Sequence, residues 1–186
     1  MTIFVTHISA AMGAVTWAAI EWFTIKKPSV LGIVTGSIAG LAAITPASAV
    51  AGPSGALLIG FASGAICWWA SVKLKHKLGY DDSLDVVGVH GVGGLVGTLL
   101  AAVVGGIAFL AADGVGGFSD DDGNTWGVGK QLGIQTIGAV VTIIYTAVVT
   151  VIILLGVKAV CGGLRVSESE EREGLDQSAH GETAYN

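Results

Sequence analysis

Charge is what this sequence has least of. Only 12% of its 186 residues are Asp, Glu, Lys or Arg, where a soluble domain carries about a quarter. Lysine and arginine together number 9 against 14 acidic residues. With no basic face, a nucleic-acid partner is not expected. The two cysteines, Cys67 and Cys161, both lie in or beside apolar segments, so they read as packed thiols rather than a disulfide or a metal pair. No nucleophile elbow, phosphate loop or HExxH motif occurs, so the residues give no support to an enzyme and imply no metal or cofactor.

What is present is apolar length. Hydrophobic residues make up 52% of the chain and its mean hydropathy is +0.74. Five runs, residues 3–23, 30–51, 54–72, 84–112 and 131–160, are each long enough to cross a hydrocarbon core of about 30 Å. The first lacks a basic leader and carries His7 and Glu21, so it reads as a span and not a signal peptide. The expected fold class is all-α: a polytopic membrane bundle of five transmembrane helices over residues 1–161, followed by a polar tail over 162–186.

Orientation follows from the cations. With five spans, alternate connections share a side. Lys26, Lys27, Lys73, Lys75, Lys77, Lys158, Arg165 and Arg172 fall on one side and Lys130 alone on the other, eight of the nine basic residues. The positive-inside rule then places the N-terminus outside and the tail in the cytoplasm of a multi-pass cell-membrane protein.

Local signals refine the spans. Gly36 with Gly40, and Gly60 with Gly64, are small-xxx-small pairs suited to close helix packing. Pro46 cannot donate to the carbonyl of Ala42, so the second helix kinks or ends there, and the Thr45 hydroxyl is placed to satisfy loosened backbone. Trp68 and Trp69 read as interface anchors. Asp120, Asp121 and Asp122 mark a solvated loop.

The fourth run holds the chemistry. It opens on Asp81, Asp82 and Asp85 and then carries one histidine, His90, among Gly88, Gly91, Gly93, Gly94 and Gly97. An ionisable residue in a span is costly and usually faces a protein interior or a pathway. Helical spacing stacks His90 with Val86 and Val87 on one side and Gly93, Gly94 and Gly97 on the other. A buried imidazole is driven to its neutral form, with one donor and one acceptor, able to pass a proton or bond a small polar molecule. The plain alternative is a packing histidine bonded to a backbone carbonyl. Asp82 and Asp85 are either buried supports or helix caps, and Asp81 reads as a cap.

Three motifs carry a resemblance. Lys77-Leu78-Gly79-Tyr80-Asp81-Asp82-Ser83-Leu84-Asp85-Val86-Val87-Gly88-Val89-His90-Gly91-Val92-Gly93-Gly94 resembles the ammonium transporter family (Amt/MEP/Rh). So do Gly40-Leu41-Ala42-Ala43-Ile44-Thr45-Pro46-Ala47 and the tail segment with Gly174, Leu175, Asp176, His180 and Tyr185. The resemblance implies a fold of eleven spans, two inverted five-span repeats plus a long last helix, in trimers with one hydrophobic pore per subunit. It implies that His90 is the second of two facing pore histidines, that Val86 lines the pore one turn away, and that Asp82 is a structural acid. It also implies that the tail couples subunits and answers PII-type signalling proteins.

Five spans correspond to the seventh through eleventh of that fold. The first repeat and sixth span have no counterpart here, nor do the first pore histidine, the aromatic gate and the outer ammonium vestibule. The expectation is therefore the C-terminal half of an ammonium transporter, as a fragment or split subunit that forms a homotrimer or pairs with an N-terminal half. The alternative is a non-conducting membrane remnant that binds full-length subunits or a PII-type regulator.

Overall fold

The computed structural model describes residues 1–113, 117–120 and 122–182; Asp121 and Tyr185 lie outside them. The chain divides into two compact units, Met1–Ala139 and Val140–Asn186. Among the described residues, five helices are long and apolar enough to cross a membrane.

The first unit is built on α1 (Thr2–Ile25), α2 (Val30–Ile44), α3 (Pro53–Trp69) and α5 (Val92–Gly106). α3 runs on through a π turn, Ala70–Leu74, into the short α4, Lys75–Leu78. A second π turn, Val86–Gly91, leads into α5. The core is small-residue packing: Val5, Ala43, Ile44, Ala47, Ala51, Ala56, Ile59, Ala101 and Val104 form one cluster, and Trp17, Ala39, Cys67 and Val89 another.

Glycine sets the helix spacing. A Cβ on Gly40 would strike the carbonyl of Ser9, whose Oγ donates to Gly40 O at 2.9 Å. Gly36 likewise meets α1, and Gly60 and Gly64 bring α3 onto α1. The small-xxx-small pairs of the sequence are thus the contact lines of the bundle. Trp68 packs beside the Trp17 cluster while Trp69 stays exposed.

Glu21, inside α1, is buried. It accepts from Trp17 Nε1 at 3.2 Å and from Ser29 N at 2.7 Å, and Ser29 Oγ in turn accepts from Gly32 N as the cap of α2. The α1–α2 turn is stitched by this carboxylate.

Two runs end before their apolar stretch does. α2 stops at Ile44 and tightens into a 3₁₀ turn, Thr45–Ala47, at Pro46. α5 stops at Gly106, short of residue 112. The chain beyond turns back onto the α2–α3 connection: Ala112 N donates to Val50 O and Gly52 N to Leu110 O. Those bonds satisfy backbone that continued helix would have paired internally. A two-strand hairpin, β1 (Phe118–Ser119) and β2 (Thr125–Trp126), follows. At its turn Asp120 accepts from Asp122 N, Asn124 N and Asn124 Nδ2. The Asn124 contacts hold its carboxyl below the usual range.

α6 (Val128–Cys161) begins in the first unit and ends in the second. It is apolar along its length and none of its residues is buried. In the second unit, α7 (Glu168–Glu173) starts at a capping box between Ser167 and Glu170 and stops at Gly174, φ 97°. A single π turn, Asp176–His180, closes at Gly181, φ 65°.

Candidate functional site

The site begins where α4 ends. Gly79, φ 66°, turns the chain out of the helix with its N–H on Lys75 O at 2.9 Å. The next turn is held from both sides. The Asp82 carboxylate accepts from Val86 N at 2.8 Å, Val87 N at 2.9 Å and Gly88 N at 3.4 Å. These are the first amides of the helix, which have no partner within it. Asp82, not Asp81, is therefore the cap; Asp81 accepts from Ser83 Oγ at 3.2 Å. Asp85 takes a left-handed conformation, φ 53°, uncommon for a residue with a side chain. Its carboxylate lies 2.6 Å from Lys75 Nζ, which also donates to Asp82 O at 3.0 Å.

His90 sits in the π turn that this acid pair begins. Gly88 and Val89 are buried, with Gly93 and Gly97 continuing that buried line along α5. A Cβ on Gly93 would stand 3.3 Å from Cys67 Sγ, and one on Gly97 would collide with the carbonyl of Ala43. The opposite side is open. Val86 and Val87 are each 53% exposed, and His90 and Gly91 are exposed too. A Cβ on Gly94 would meet nothing within 4 Å. On α5, which continues the π turn of Val86–Gly91, Gly93 and Gly97 are packed while Gly94 keeps an open position. Such turns are frequent at functional positions.

The imidazole is thus neither enclosed by these helices nor bonded to a backbone carbonyl of its own span. The expectation of a buried ring is not met within this chain, and the packing-histidine alternative is not what the structure shows.

Behind the open face lies a firm backing. Gly88 is pressed on Ser71, whose buried Oγ has no hydrogen-bond partner among the described residues. Cys67 Sγ points at Val89 O, 3.8 Å away. Cys67 is a buried free thiol and Cys161 an exposed one. Thr45 Oγ1 donates to Leu41 O at 2.8 Å, one residue before the carbonyl to which Pro46 cannot donate. Among the described residues, no group of three His, Cys, Asp or Glu side chains gathers as a metal site would require.

The tail residues lie in the second unit. Gly174 ends α7 and its carbonyl accepts from Ser178 Oγ at 2.9 Å. Leu175 is 41% exposed, and Asp176 and His180 bound the last π turn.

Two residues escaped the sequence reading. Lys75 was one cation among three at a helix exit, and nothing in its spacing marked it as the partner of Asp85, ten residues on. Glu21 read only as an ionisable residue carried by the first span. Its one sequence signal was its place a helical turn after Trp17, whose indole needs an acceptor when buried.

Together these features define a multi-pass helical membrane protein in which His90 stands on an exposed, glycine-flanked face. The model of the Ammonium Transporter Family matches residues 1–185, and the chain belongs to that family. An ammonium transporter of Aquifex aeolicus is 44% identical over 181 residues, 97% of this chain and 40% of the relative. Ammonium transporter Amt1 of Archaeoglobus fulgidus is 41% identical over 184 residues, 98% of this chain and 44% of the relative. Among solved structures, Saccharomyces cerevisiae Mep2 superposes with a TM-score of 0.73 at 38% identity, over 90% of this chain and 37% of that one. A sensor Amt protein gives a TM-score of 0.80 at 30% identity, over 96% and 41%. The chain therefore spans about two fifths of the length of the relatives it matches. These relatives are transporters, not enzymes.

Proposed function

We propose that the chain forms one wall of an ammonium pathway, as the C-terminal half of a transporter whose opposite wall comes from residues outside these 186. The carrying observation is the open face of Val86, His90 and Gly94 on a turn backed by Gly88, Val89 and Gly93. A span has little reason to hold a histidine clear of its own bundle unless something meets it there. Ammonium is too costly to strip of water in an apolar channel. A neutral imidazole offers ammonia a donor and an acceptor and gives the proton a separate route. In this reading His90 is the relay and hydrogen-bond partner, Val86 lines the path beside it, and Asp82, Asp85 and Thr45 hold the wall.

The same reading puts residues 1–161 in the membrane, the N-terminus outside and residues 162–186 in the cytoplasm, in line with the side on which eight of nine cations fall. It takes the assembly to be a homotrimer or a pairing with an N-terminal half. The test is methylammonium uptake by proteoliposomes that hold the chain with an N-terminal half supplied from a relative. His90→Ala should cut uptake at least about tenfold, the low end of a lost proton-transfer group. Uptake unchanged by that substitution rejects the role.

A second reading concerns the tail. It carries its own order, with the Ser167–Glu170 box and an Arg172–Glu168 ion pair at 2.6 Å, and it presents Leu175 to solvent. This favours a docking segment, around Gly174, Leu175, Asp176, His180 and Tyr185, for a PII-type protein, whether or not the membrane part conducts. Capture of a PII-type protein that persists after residues 162–186 are deleted excludes it.

A further inference from the structure

We infer that Lys75 is a positioning residue for His90, acting through Asp82 and Asp85. The consequence for transport rests on the pathway reading; the geometry does not. Four consecutive amides, residues 86–89, end on two acids. Val86, Val87 and Gly88 donate to the Asp82 carboxylate, and Val89 donates to Asp85 O at 2.8 Å. Both acids end on one ammonium: Lys75 Nζ reaches Asp85 Oδ1 at 2.6 Å and Asp82 O at 3.0 Å. His90 is the next residue along the turn.

Lys75 matters because packing fixes only one side of the turn. Gly88 against Ser71, and Val89 in the Trp17 cluster, seat the buried side. On the other side Val86 and Val87 are half exposed and His90 is exposed, so packing contributes less to holding the ring there. Asp85 meanwhile holds a left-handed backbone that costs free energy and persists only where its surroundings over-determine it. Lys75 supplies that constraint with a charge-assisted bond to each end of the 82–85 segment. Without it the segment relaxes toward ordinary backbone, the capping carboxylate shifts, and the imidazole loses its single direction. α5 beyond Gly93 is seated independently by Gly97 on Ala43 and does not need the clamp.

The experiment uses the full chain in lipid nanodiscs, with backbone amides and the histidine ring labelled for NMR. Lys75→Met should speed hydrogen exchange at residues 86–88 about tenfold, as expected for loss of a bond to a charged group. It should shift or multiply the His90 ring signals and leave α5 amides beyond Gly93 protected. Lys75→Arg should restore a single ring signal, and Lys77→Met should change nothing. An unchanged His90 signal in Lys75→Met overturns the inference. So does loss of protection in all helices alike with Lys75→Gln and Asp85→Asn, since that describes a general stabiliser. Methylammonium uptake, run beside it, separates the two claims. If His90→Ala leaves uptake intact while Lys75→Met moves the ring signals, the pathway reading falls and the positioning role stands. If both hold, Lys75→Met lowers kcat with little change in KM.

Discussion

Asp82 lies just before the π turn that carries His90, and its carboxylate holds the first amides of that turn. The acid that opens the span is thus part of the histidine's mounting. The bonds are charge-assisted and their amides have no other helical partner. Asp82→Ala should cost about 2 kcal/mol of stability, and Asp82→Asn, which keeps one acceptor, less. Chemical unfolding in detergent, followed by tryptophan fluorescence, measures both. Equal stability of parent and alanine variant contradicts the capping role.

Asp85 tests the backbone. Its φ of 53° suits asparagine nearly as well as aspartate and suits a β-branched residue badly. Asp85→Val should therefore destabilise more than Asp85→Asn, by about 1–2 kcal/mol. The same unfolding assay decides, and reversed order refutes the conformational argument.

Two glycines on α5 should part company. Gly97 lies against Ala43 with no room for a methyl group, so Gly97→Ala should cost about 1–3 kcal/mol. Gly94 faces open space, so Gly94→Ala should leave stability the same or slightly raise it. On the pathway reading, Gly94→Leu obstructs uptake in a protein that still unfolds at the parent's midpoint. An opposite ranking places the packed face on the wrong side.

The tail predicts a pH dependence. Ser167, by hydroxyl and amide, donates to the Glu170 carboxylate and holds it below the ordinary range. Because the carboxyl is a stronger acid in the folded tail than in the unfolded one, the box supports α7 above the unfolded value, about pH 4.3. That support disappears as pH falls through the lower folded value. Amide shifts of residues 168–173 should hold steady from neutral pH to about 5 and then move in acid. Glu170→Gln should remove the transition, and an acid transition that survives it assigns the effect elsewhere.

How much of this could be read from the letters differs residue by residue. The five spans were plain because apolar length is a one-dimensional property. The Gly36 and Gly40 pair was plain because four-residue spacing survives in any α-helix. Asp82 was legible as a supporting acid, though its three amide partners were not. The π turn was invisible, since one added residue leaves no compositional mark. The end of α5 was overshot because residues 107–112 stay apolar while their backbone pairs with the α2–α3 connection. Lys75 was hidden by its neighbours Lys73 and Lys77, which carry the same charge.

The central claim is that one face of the Val86–Gly91 turn and early α5 lines a pathway while the other packs. Single cysteines at 86, 90, 94, 89, 93 and 97 test it in the assembled protein, with Cys161→Ser as background and buried Cys67 left in place. A small water-soluble thiol reagent is added during methylammonium uptake. The account requires block at 86 and 94 in transport-competent variants, protection there by excess ammonium, and no reaction at 89, 93 and 97. Reaction at 86 and 94 with no effect on uptake, or no reaction at 86, 90 and 94, contradicts it.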